Sequence, residues 1–73
     1  ILNILIMAKI QLNGSKIELK NKYSIFTLLK KYKLESKKIA VELNGKIING
    51  NKHKTVFLKD KDKIEIVHFI GGG

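Results

Sequence analysis

The stretch Ala8-Lys-Ile-Gln-Leu-Asn-Gly-Ser-Lys-Ile-Glu-Leu19 decides the fold of this 73-residue chain. On both sides of Asn13-Gly14, apolar and polar residues alternate with the period of a half-buried β-strand. An Asn-Gly pair between two alternating runs is a strong signal for a two-residue hairpin turn. The stretch therefore predicts an antiparallel hairpin with one apolar face that needs a cover. The residues of that face are Ile10, Leu12, Ile17 and Leu19.

The period changes after Asn21-Lys22, where the sequence predicts one helix over residues 24–33. Apolar residues follow helical spacing, Ser24 stands at the N-cap position, and lysines fill the last turn, where the helix dipole favours cations. We expect the apolar stripe of this helix to cover the hairpin. The stripe consists of Ile25, Leu28, Leu29 and Tyr32.

Strand patterns return after the helix and complete the predicted fold. Residues 39–44 read as a strand, Asn44-Gly45 predicts a second turn into residues 46–48, and two further strands are predicted over residues 55–58 and 64–70. This order predicts a single α+β domain, a β-grasp in which a mixed sheet wraps around one helix. The final strand is expected to lie beside the first.

The predicted domain begins at the only methionine, Met7. We interpret residues 1–6 as an upstream extension, native or introduced, and residues 7–70 as the β-grasp domain. Residues 71–73 are three glycines and are predicted to form a flexible tail. No linker, repeat or proline-rich segment divides the chain.

The composition limits the classes of function. A domain of this size buries only about 60% of its unfolded surface, which leaves little room for an enclosed active site. Cysteine is absent, which removes disulfides, thiolate nucleophiles and zinc-thiolate clusters. No apolar run approaches the roughly 20 residues needed to span a bilayer. We therefore expect a soluble cytoplasmic protein without a membrane partner.

The net charge of +9 suggests nucleic acid as a partner, because lysines can neutralise phosphates. All fifteen basic residues are lysines, however, and base recognition depends heavily on the planar fork of arginine. Nucleic-acid binding is thus expected to be weak and non-specific. A solvated basic surface is the preferred interpretation.

Catalysis by the chain itself is not expected. His53 and His68 stand in different segments and lack the cysteines of a common zinc site. Asp60 and Asp62 alternate with lysines, which favours a salt-bridged turn over a pair of carboxylates for acid/base chemistry. The serines lie in turn or cap contexts with no histidine nearby in sequence. No metal site is predicted.

The end of the chain, His68-Phe69-Ile70-Gly71-Gly72-Gly73, runs from a strand pattern directly into glycines. Three glycines make a narrow, flexible segment that can enter a channel closed to bulkier termini, which suggests the Gly73 carboxylate as the working group. A loose chain end is the alternative interpretation.

A docking patch is predicted next to this tail. If Ile64 and Ile66 face the helix, alternation places Val67 and Phe69 on the outer face of the sheet. Together with Ile70, they would hold a partner while the glycines enter its active site. The alternative is that Val67 and Phe69 belong to the core or are covered by the upstream residues. If Val67 and Phe69 face outward, His68 lies on the inward face near its rim.

The segments Ile39-Ala-Val-Glu-Leu-Asn-Gly-Lys-Ile-Ile48 and Leu58-Lys-Asp-Lys-Asp-Lys-Ile-Glu-Ile-Val-His-Phe-Ile-Gly-Gly-Gly73 resemble the thiamine-biosynthesis sulfur carriers, the ThiS family of ubiquitin-like β-grasp proteins. The resemblance runs from Met7 to the end of the sequence, and the family's terminal Gly-Gly falls on Gly72 and Gly73. The Leu-Asn-Gly turn and the Val-His-Phe-Ile-Gly-Gly-Gly ending together make the resemblance specific.

The chain departs from the family pattern at turns and caps. Asp60-Lys61-Asp62 replaces the usual Asp-Gly-Asp, Thr27 replaces an acidic residue in the first helical turn, and the proline usual after the second turn is missing near Asn49-Gly50. Each change is expected to cost about 1 kcal/mol of stability. The glycine tail is unaffected.

The resemblance implies a carrier cycle in which the chain is a protein co-substrate and binds no cofactor of its own. A ThiF-type adenylyltransferase with ATP and magnesium would convert the Gly73 carboxylate into an acyl-adenylate. Sulfur from a cysteine desulfurase would then give a thiocarboxylate, which thiazole synthase accepts. Gly71 and Gly72 would serve as the reaching tail.

Two other functions remain open on the sequence alone. The small subunit of molybdopterin synthase shares the β-grasp and the Gly-Gly end, but it more often carries prolines before its glycines, and this chain has none. A basic β-grasp module that binds RNA is the rival from another class. An enzyme ranks last.

Overall fold

A five-stranded mixed sheet and one helix form the part of the chain that the computed structural model describes, residues 8–34 and 38–69. The elements are β1 (Ala8–Leu12), β2 (Ser15–Leu19), α1 (Ile25–Lys31), β3 (Ile39–Leu43), β4 (Lys46–Ile48) and β5 (Lys63–His68). The strand order is β2-β1-β5-β3-β4, with β1 and β5 parallel and the other neighbours antiparallel. The predicted β-grasp, with its final strand beside the first, is confirmed.

The interpreted upstream extension, residues 1–6, and the predicted tail, residues 71–73, lie outside the described residues. Among the residues that are described, no helix has the length and hydropathy needed to cross a membrane.

Both predicted Asn-Gly turns are present, and both use backbone conformations that favour these two residues. Asn13 and Gly14 have φ values of 48° and 86°, and Asn44 and Gly45 have φ values of 51° and 86°. Positive φ at both central residues matches the twist of the flanking strands, and asparagine and glycine adopt it at the least steric cost. The hairpin registers, Leu12 opposite Ser15 and Leu43 opposite Lys46, follow from these turns.

The side chain of Asn13 prolongs the parallel pairing of β1 with β5. The backbone amides of Gln11 and Asn13 donate to the carbonyls of Asp62 and Ile64, each at 2.9 Å. At Ile66 of β5, the side-chain amide of Asn13 makes the hydrogen bonds that a backbone peptide group of β1 makes earlier in the pairing. Its Oδ1 accepts from the Ile66 amide at 2.7 Å, and its Nδ2 donates to the Ile66 carbonyl at 3.2 Å.

Asn44 holds β5 from the opposite side. Its backbone amide donates to the Lys63 carbonyl at 2.7 Å, and its Oδ1 accepts from the Lys63 amide at 2.8 Å. Its Nδ2 donates to Oδ1 of the buried Asp62 at 2.9 Å. We call the side chains of Asn13 and Asn44 the asparagine clamp, because each turn residue fixes the strand that leads to the glycines.

The helix begins as predicted and ends earlier. The Ser24 hydroxyl accepts from the Thr27 amide at 3.0 Å and lies 3.0 Å from the Thr27 hydroxyl, so Thr27 joins the cap in place of an acidic residue. Tyr32 is the C-cap and is 41% exposed, so its predicted burial is wrong. The backbone leaves the helix there, and Lys33 adopts a φ of 59°.

The core lies between the helix and the inner face of the sheet. Leu58 joins it, although the predicted strand over residues 55–58 forms only one bridge, between Phe57 and Ser24. Residues 55–58 run beside the residues that lead into α1, and the carbonyl of Val56 accepts from the Ile25 amide at 2.9 Å. The buried hydrophobic residues are Ala8, Ile10, Leu19, Ile25, Leu28, Leu29, Val41, Leu58 and Ile64.

A short 3₁₀ helix over Gly50–Lys52 was not predicted from the polar stretch that follows β4.

The turn Asp60-Lys61-Asp62, which replaces the family's usual Asp-Gly-Asp, lies just before β5. Lys61 adopts a φ of 72°, a conformation in which a residue with a Cβ costs roughly 1–2 kcal/mol. The chain tolerates this strain because the flanking Asp60 and Asp62 are both hydrogen-bonded.

Replacing Asn13 by glycine tests the clamp without disturbing the turn. Glycine accepts the positive φ but loses both side-chain bonds to Ile66, so we expect the free energy of unfolding to fall by about 1 kcal/mol. Urea denaturation measures this change. Asn51→Ala, at an exposed asparagine outside the clamp, should leave the free energy within about 0.5 kcal/mol of the unmodified chain. An equal effect of the two substitutions would contradict a structural role for the Asn13 side chain.

Candidate functional site

The last strand, β5, presents two different faces, as its alternation predicts. Ile64 is fully buried and Ile66 is half-buried on the core side. On the outer side, Val67 is 55% exposed and Phe69 is 58% exposed. Burial fades towards the end of the strand, so His68, which the alternation places on the same side as Ile64 and Ile66, is exposed at the rim of that face.

The backbone is held one residue beyond β5. The Phe69 amide donates to the Lys38 carbonyl at 2.9 Å, which extends the ladder between β3 and β5. This bond fixes the backbone that carries Val67 and Phe69, the two exposed apolar residues of the outer face. Ile70, the third predicted docking residue, and the tail residues Gly71, Gly72 and Gly73 lie outside the described residues, so their roles stay predictions.

Carboxylates lie on the same outer face as the exposed apolar residues. Glu42 of β3 stands opposite Glu65 of β5 on one side and opposite Ile47 of β4 on the other. Ile47 is 68% exposed, and Val67 follows Glu65 two residues along β5. Like charges directly opposite each other are unfavourable in the free chain. A partner that brings a cation to this face would relieve that repulsion.

An open groove on the other half of the sheet carries the opposite charge. It is bordered by β1, β2 and the turn before β5, and its lysines are Lys9, Lys16, Lys61 and Lys63. Glu18 and the buried Asp62 also line it, so lysines outnumber carboxylates four to two. The groove therefore offers ammonium groups at the surface without the planar donors that read base edges.

The two aspartates of the turn before β5 serve the backbone. Asp60 Oδ1 accepts from the Lys9 amide at 2.8 Å, and Asp62 Oδ2 accepts from the Lys59 amide at 2.7 Å. Asp62 also binds the Asn44 side chain, as described above. The expected salt-bridged turn is thus a hydrogen-bonded turn, because the carboxylates point to amides that the sequence pattern does not reveal. Lys61, which stands between them, is exposed.

The histidines do not form a common site. His53 is half-buried, and its Nε2 lies 3.2 Å from the Ile48 carbonyl, which makes it a hydrogen-bond donor there. His68 lies at the exposed end of β5. Within residues 8–34 and 38–69, no group of three or more histidine, cysteine, aspartate or glutamate side chains lies close enough together to hold a metal ion.

Sequence reasoning missed the second role of Asn13 and Asn44. The Asn-Gly pairs predict turns, but the partners of each side chain lie 53 residues away for Asn13 and 18 to 19 residues away for Asn44. Only the order of strands in the sheet brings these groups together. The one sequence signal for this role is that both turns use Asn, whose side chain can both donate and accept hydrogen bonds, where Gly or Asp would also fit the turn.

This chain is similar to known proteins in both sequence and fold. A model of the ThiS family matches residues 4–73. The sulfur carrier protein ThiS of Bacillus subtilis is 46% identical over 65 residues, which cover 88% of this chain and 98% of that protein. The thiazole synthase of Paramagnetospirillum magneticum is 37% identical over 65 residues, which cover 89% of this chain but only 20% of that enzyme.

The fold comparison agrees with the sequence comparison. The crystal structure of the thiamine biosynthesis protein ThiS from Geobacter metallireducens superposes with a TM-score of 0.76 at 26% identity and covers 89% of this chain and 99% of that one. The strand order, the capped helix α1 and the family match through residue 73 lead to one conclusion. The chain belongs to the ThiS family.

Proposed function

We propose that this chain is a sulfur carrier protein of thiamine biosynthesis and that its working group is the Gly73 carboxylate. The observation that carries the proposal is the 46% identity to a sulfur carrier across 98% of that protein's length. The family match also runs through the glycines, residues 71–73. The chain acts as a protein co-substrate, and the catalytic groups belong to its partners.

The chemistry requires activation of a poor electrophile. A free carboxylate resists nucleophilic attack because its leaving group would be an oxide. A ThiF-type adenylyltransferase joins the Gly73 carboxylate to the AMP part of ATP, with magnesium on the phosphates, and releases pyrophosphate. The terminal sulfur of a cysteine-desulfurase persulfide then displaces AMP. A thiol cleaves the resulting acyl disulfide and leaves the thiocarboxylate.

Glycine suits both partners of this exchange. The carbonyl of Gly73 carries no neighbouring Cβ, so a nucleophile approaches it freely. Three extended residues span about 10 Å, enough to reach a buried active site while the folded domain stays outside. The hydrogen-bonded end of β5 limits the motion of the chain at Phe69, so the search for the partner's site is confined to the few residues beyond it.

Thiazole synthase is the proposed acceptor of the sulfur. The thiazole synthase of Paramagnetospirillum magneticum matches this chain over about a fifth of its own length, so that enzyme carries a segment of similar sequence within its chain. A carrier-like segment joined to the acceptor enzyme supports a physical association of the two. We place the cycle in the cytoplasm, without a membrane partner.

The outer face beside the tail is the proposed docking surface for these partners. Val67 and Phe69 are both more than half exposed, which argues against the alternative that they belong to the core. They are fixed by backbone bonds, so little side-chain and backbone freedom is lost on binding. Ile70 continues this surface in the sequence and is proposed to share the role.

The rival functions receive less support. The similar sequence is that of a sulfur carrier protein ThiS and the similar fold is that of a thiamine biosynthesis protein ThiS, which favours this pathway over a molybdopterin synthase subunit. An RNA-binding role would rest on the lysines of the open groove alone. That groove suits long-range attraction to an acidic protein surface equally well.

Conversion of the terminus tests the proposed function directly. Incubation with a cognate adenylyltransferase, ATP, magnesium and a persulfide donor should raise the intact mass by the difference between a sulfur and an oxygen atom. Mass spectrometry of the whole chain measures this. A variant that lacks Gly72 and Gly73 is the control and should stay unchanged, since its new end has lost the terminal Gly-Gly and is two residues short of the adenylation site. An unchanged mass of the full chain, with a partner that modifies its own carrier, would refute the assignment.

Replacing Phe69 by alanine tests the docking surface. Loss of an exposed aromatic anchor should weaken binding to the adenylyltransferase by about 30-fold and leave the fold intact. Phe57→Ala is the matched control, because Phe57 is a 44% exposed aromatic residue whose backbone bridges to the N-cap residue Ser24, away from the outer face. Binding is measured by calorimetry with the glycines present in all variants. Equal affinities of the two variants would exclude Phe69 as a contact.

A further inference from the structure

Three Asn-Gly pairs occur in this chain: Asn13-Gly14, Asn44-Gly45 and Asn49-Gly50. In such a pair, the glycine nitrogen can attack the side-chain carbonyl carbon of the asparagine, because glycine has no Cβ to block the approach. The attack requires the asparagine side chain to rotate over the following peptide bond. Whether the fold permits that rotation distinguishes the three pairs.

The clamp prevents this rotation at the first two pairs. The Asn13 side chain makes two hydrogen bonds to the backbone of Ile66. The Asn44 side chain bonds to the Lys63 amide and to the Asp62 carboxylate. Each carbonyl carbon is held against β5, and reaction requires these bonds to break first.

The third pair has no such restraint. Asn49 is exposed, has an extended backbone with φ −60° and ψ 146°, and makes no side-chain capping bond to the short helix that follows. Gly50 is the first residue of that helix, so its amide has no partner within it. Both reacting groups, the Asn49 side chain and the Gly50 nitrogen, are therefore available.

We propose that Asn49 is a site of spontaneous modification by water, and that the fold protects Asn13 and Asn44 from the same reaction. The Gly50 nitrogen forms a bond to the Asn49 side-chain carbonyl carbon, and the side-chain nitrogen leaves as ammonia with the proton from the Gly50 amide. Water then opens the five-membered imide at either carbonyl. The products are aspartate and isoaspartate, and the net reaction consumes one water and releases one ammonia without a change of oxidation state.

The modification changes the chain just after β4. Either product adds a carboxylate, so the formal net charge falls from +9 to +8. Isoaspartate also lengthens the main chain by one carbon between Ile48 and Gly50. That insertion lies next to the contact between His53 and the Ile48 carbonyl, two residues from the exposed Ile47. The rate depends on local geometry and is independent of any partner, so it is separate from the proposed carrier function.

Peptide mass spectrometry can follow all three pairs at once. Cleavage after lysine places them on separate peptides, residues 10–16, 39–46 and 47–52. The folded chain is incubated at mildly alkaline pH, and fragment ions assign the mass change on the third peptide to Asn49 or Asn51. We expect Asn49 to react at least about tenfold faster than Asn13 or Asn44, because each of those must break two hydrogen bonds first. In urea the three rates should converge.

Gly50→Ala is the matched variant. A Cβ built at Gly50 meets no atom within 4 Å and its φ lies outside the left-handed region, so the fold accommodates alanine there. The added methyl hinders the attack and should slow the reaction at Asn49 at least about tenfold, with the urea midpoint unchanged. Reaction at Asn13 or Asn44 as fast as at Asn49 in the folded chain would overturn the proposal. So would a Gly50→Ala chain that reacts at the original rate.

Discussion

The structure depends on how β5 is held between its two neighbours. This strand pairs in parallel with β1 over only two register positions, Gln11 with Lys63 and Leu12 with Ile64, whereas its antiparallel ladder with β3 covers five. The asparagine clamp compensates for the short parallel pairing. Each clamp residue reaches β5 from the turn of a hairpin, so the two hairpins and the central strand are fixed as one unit. The helix then covers a surface that is already defined.

The proposed function follows from that arrangement. A carrier needs a terminus that is accessible to its partner enzymes and a folded domain to which those enzymes bind. In the sequence the glycines follow the strand in the middle of the sheet, and the exposed Val67 and Phe69 lie at the end of that strand and one residue beyond it. The outer face has carboxylates on the β3 side and lysines on the β1 side. Partners with different charges can therefore recognise different halves of one face while both engage the same tail.

Much of the fold was predictable because its signals are local. The Asn-Gly turns, the Ser24 cap and the alternation along β5 each depend on neighbouring residues, and each is confirmed by the structure. The exposure of Val67 and Phe69 follows from the same alternation. Two predictions failed. Burial of Tyr32 depends on the residue at which the helix ends, and the segment expected to form a strand at residues 55–58 bridges to the N-cap residue Ser24 instead of joining the sheet.

The aspartates before β5 show the same limit. Their sequence context, alternation with lysines, favours salt bridges, but backbone amides from β1 and from the turn itself bind them in the fold. Sequence also identifies Asn-Gly as a turn without revealing that two of the three such asparagines bind β5. The reactivity assigned to each asparagine could be inferred only once those partners were known.

Native-state hydrogen exchange of the Ile66 amide tests the central claim most directly, since this amide donates to Asn13 Oδ1 and to no strand backbone on that side. If the clamp holds β5 as part of the core, the amide should exchange only through global unfolding, with the same free energy of opening as the amide of the buried Val41. Exchange of the Ile66 amide at the rate of an exposed loop amide would contradict the account.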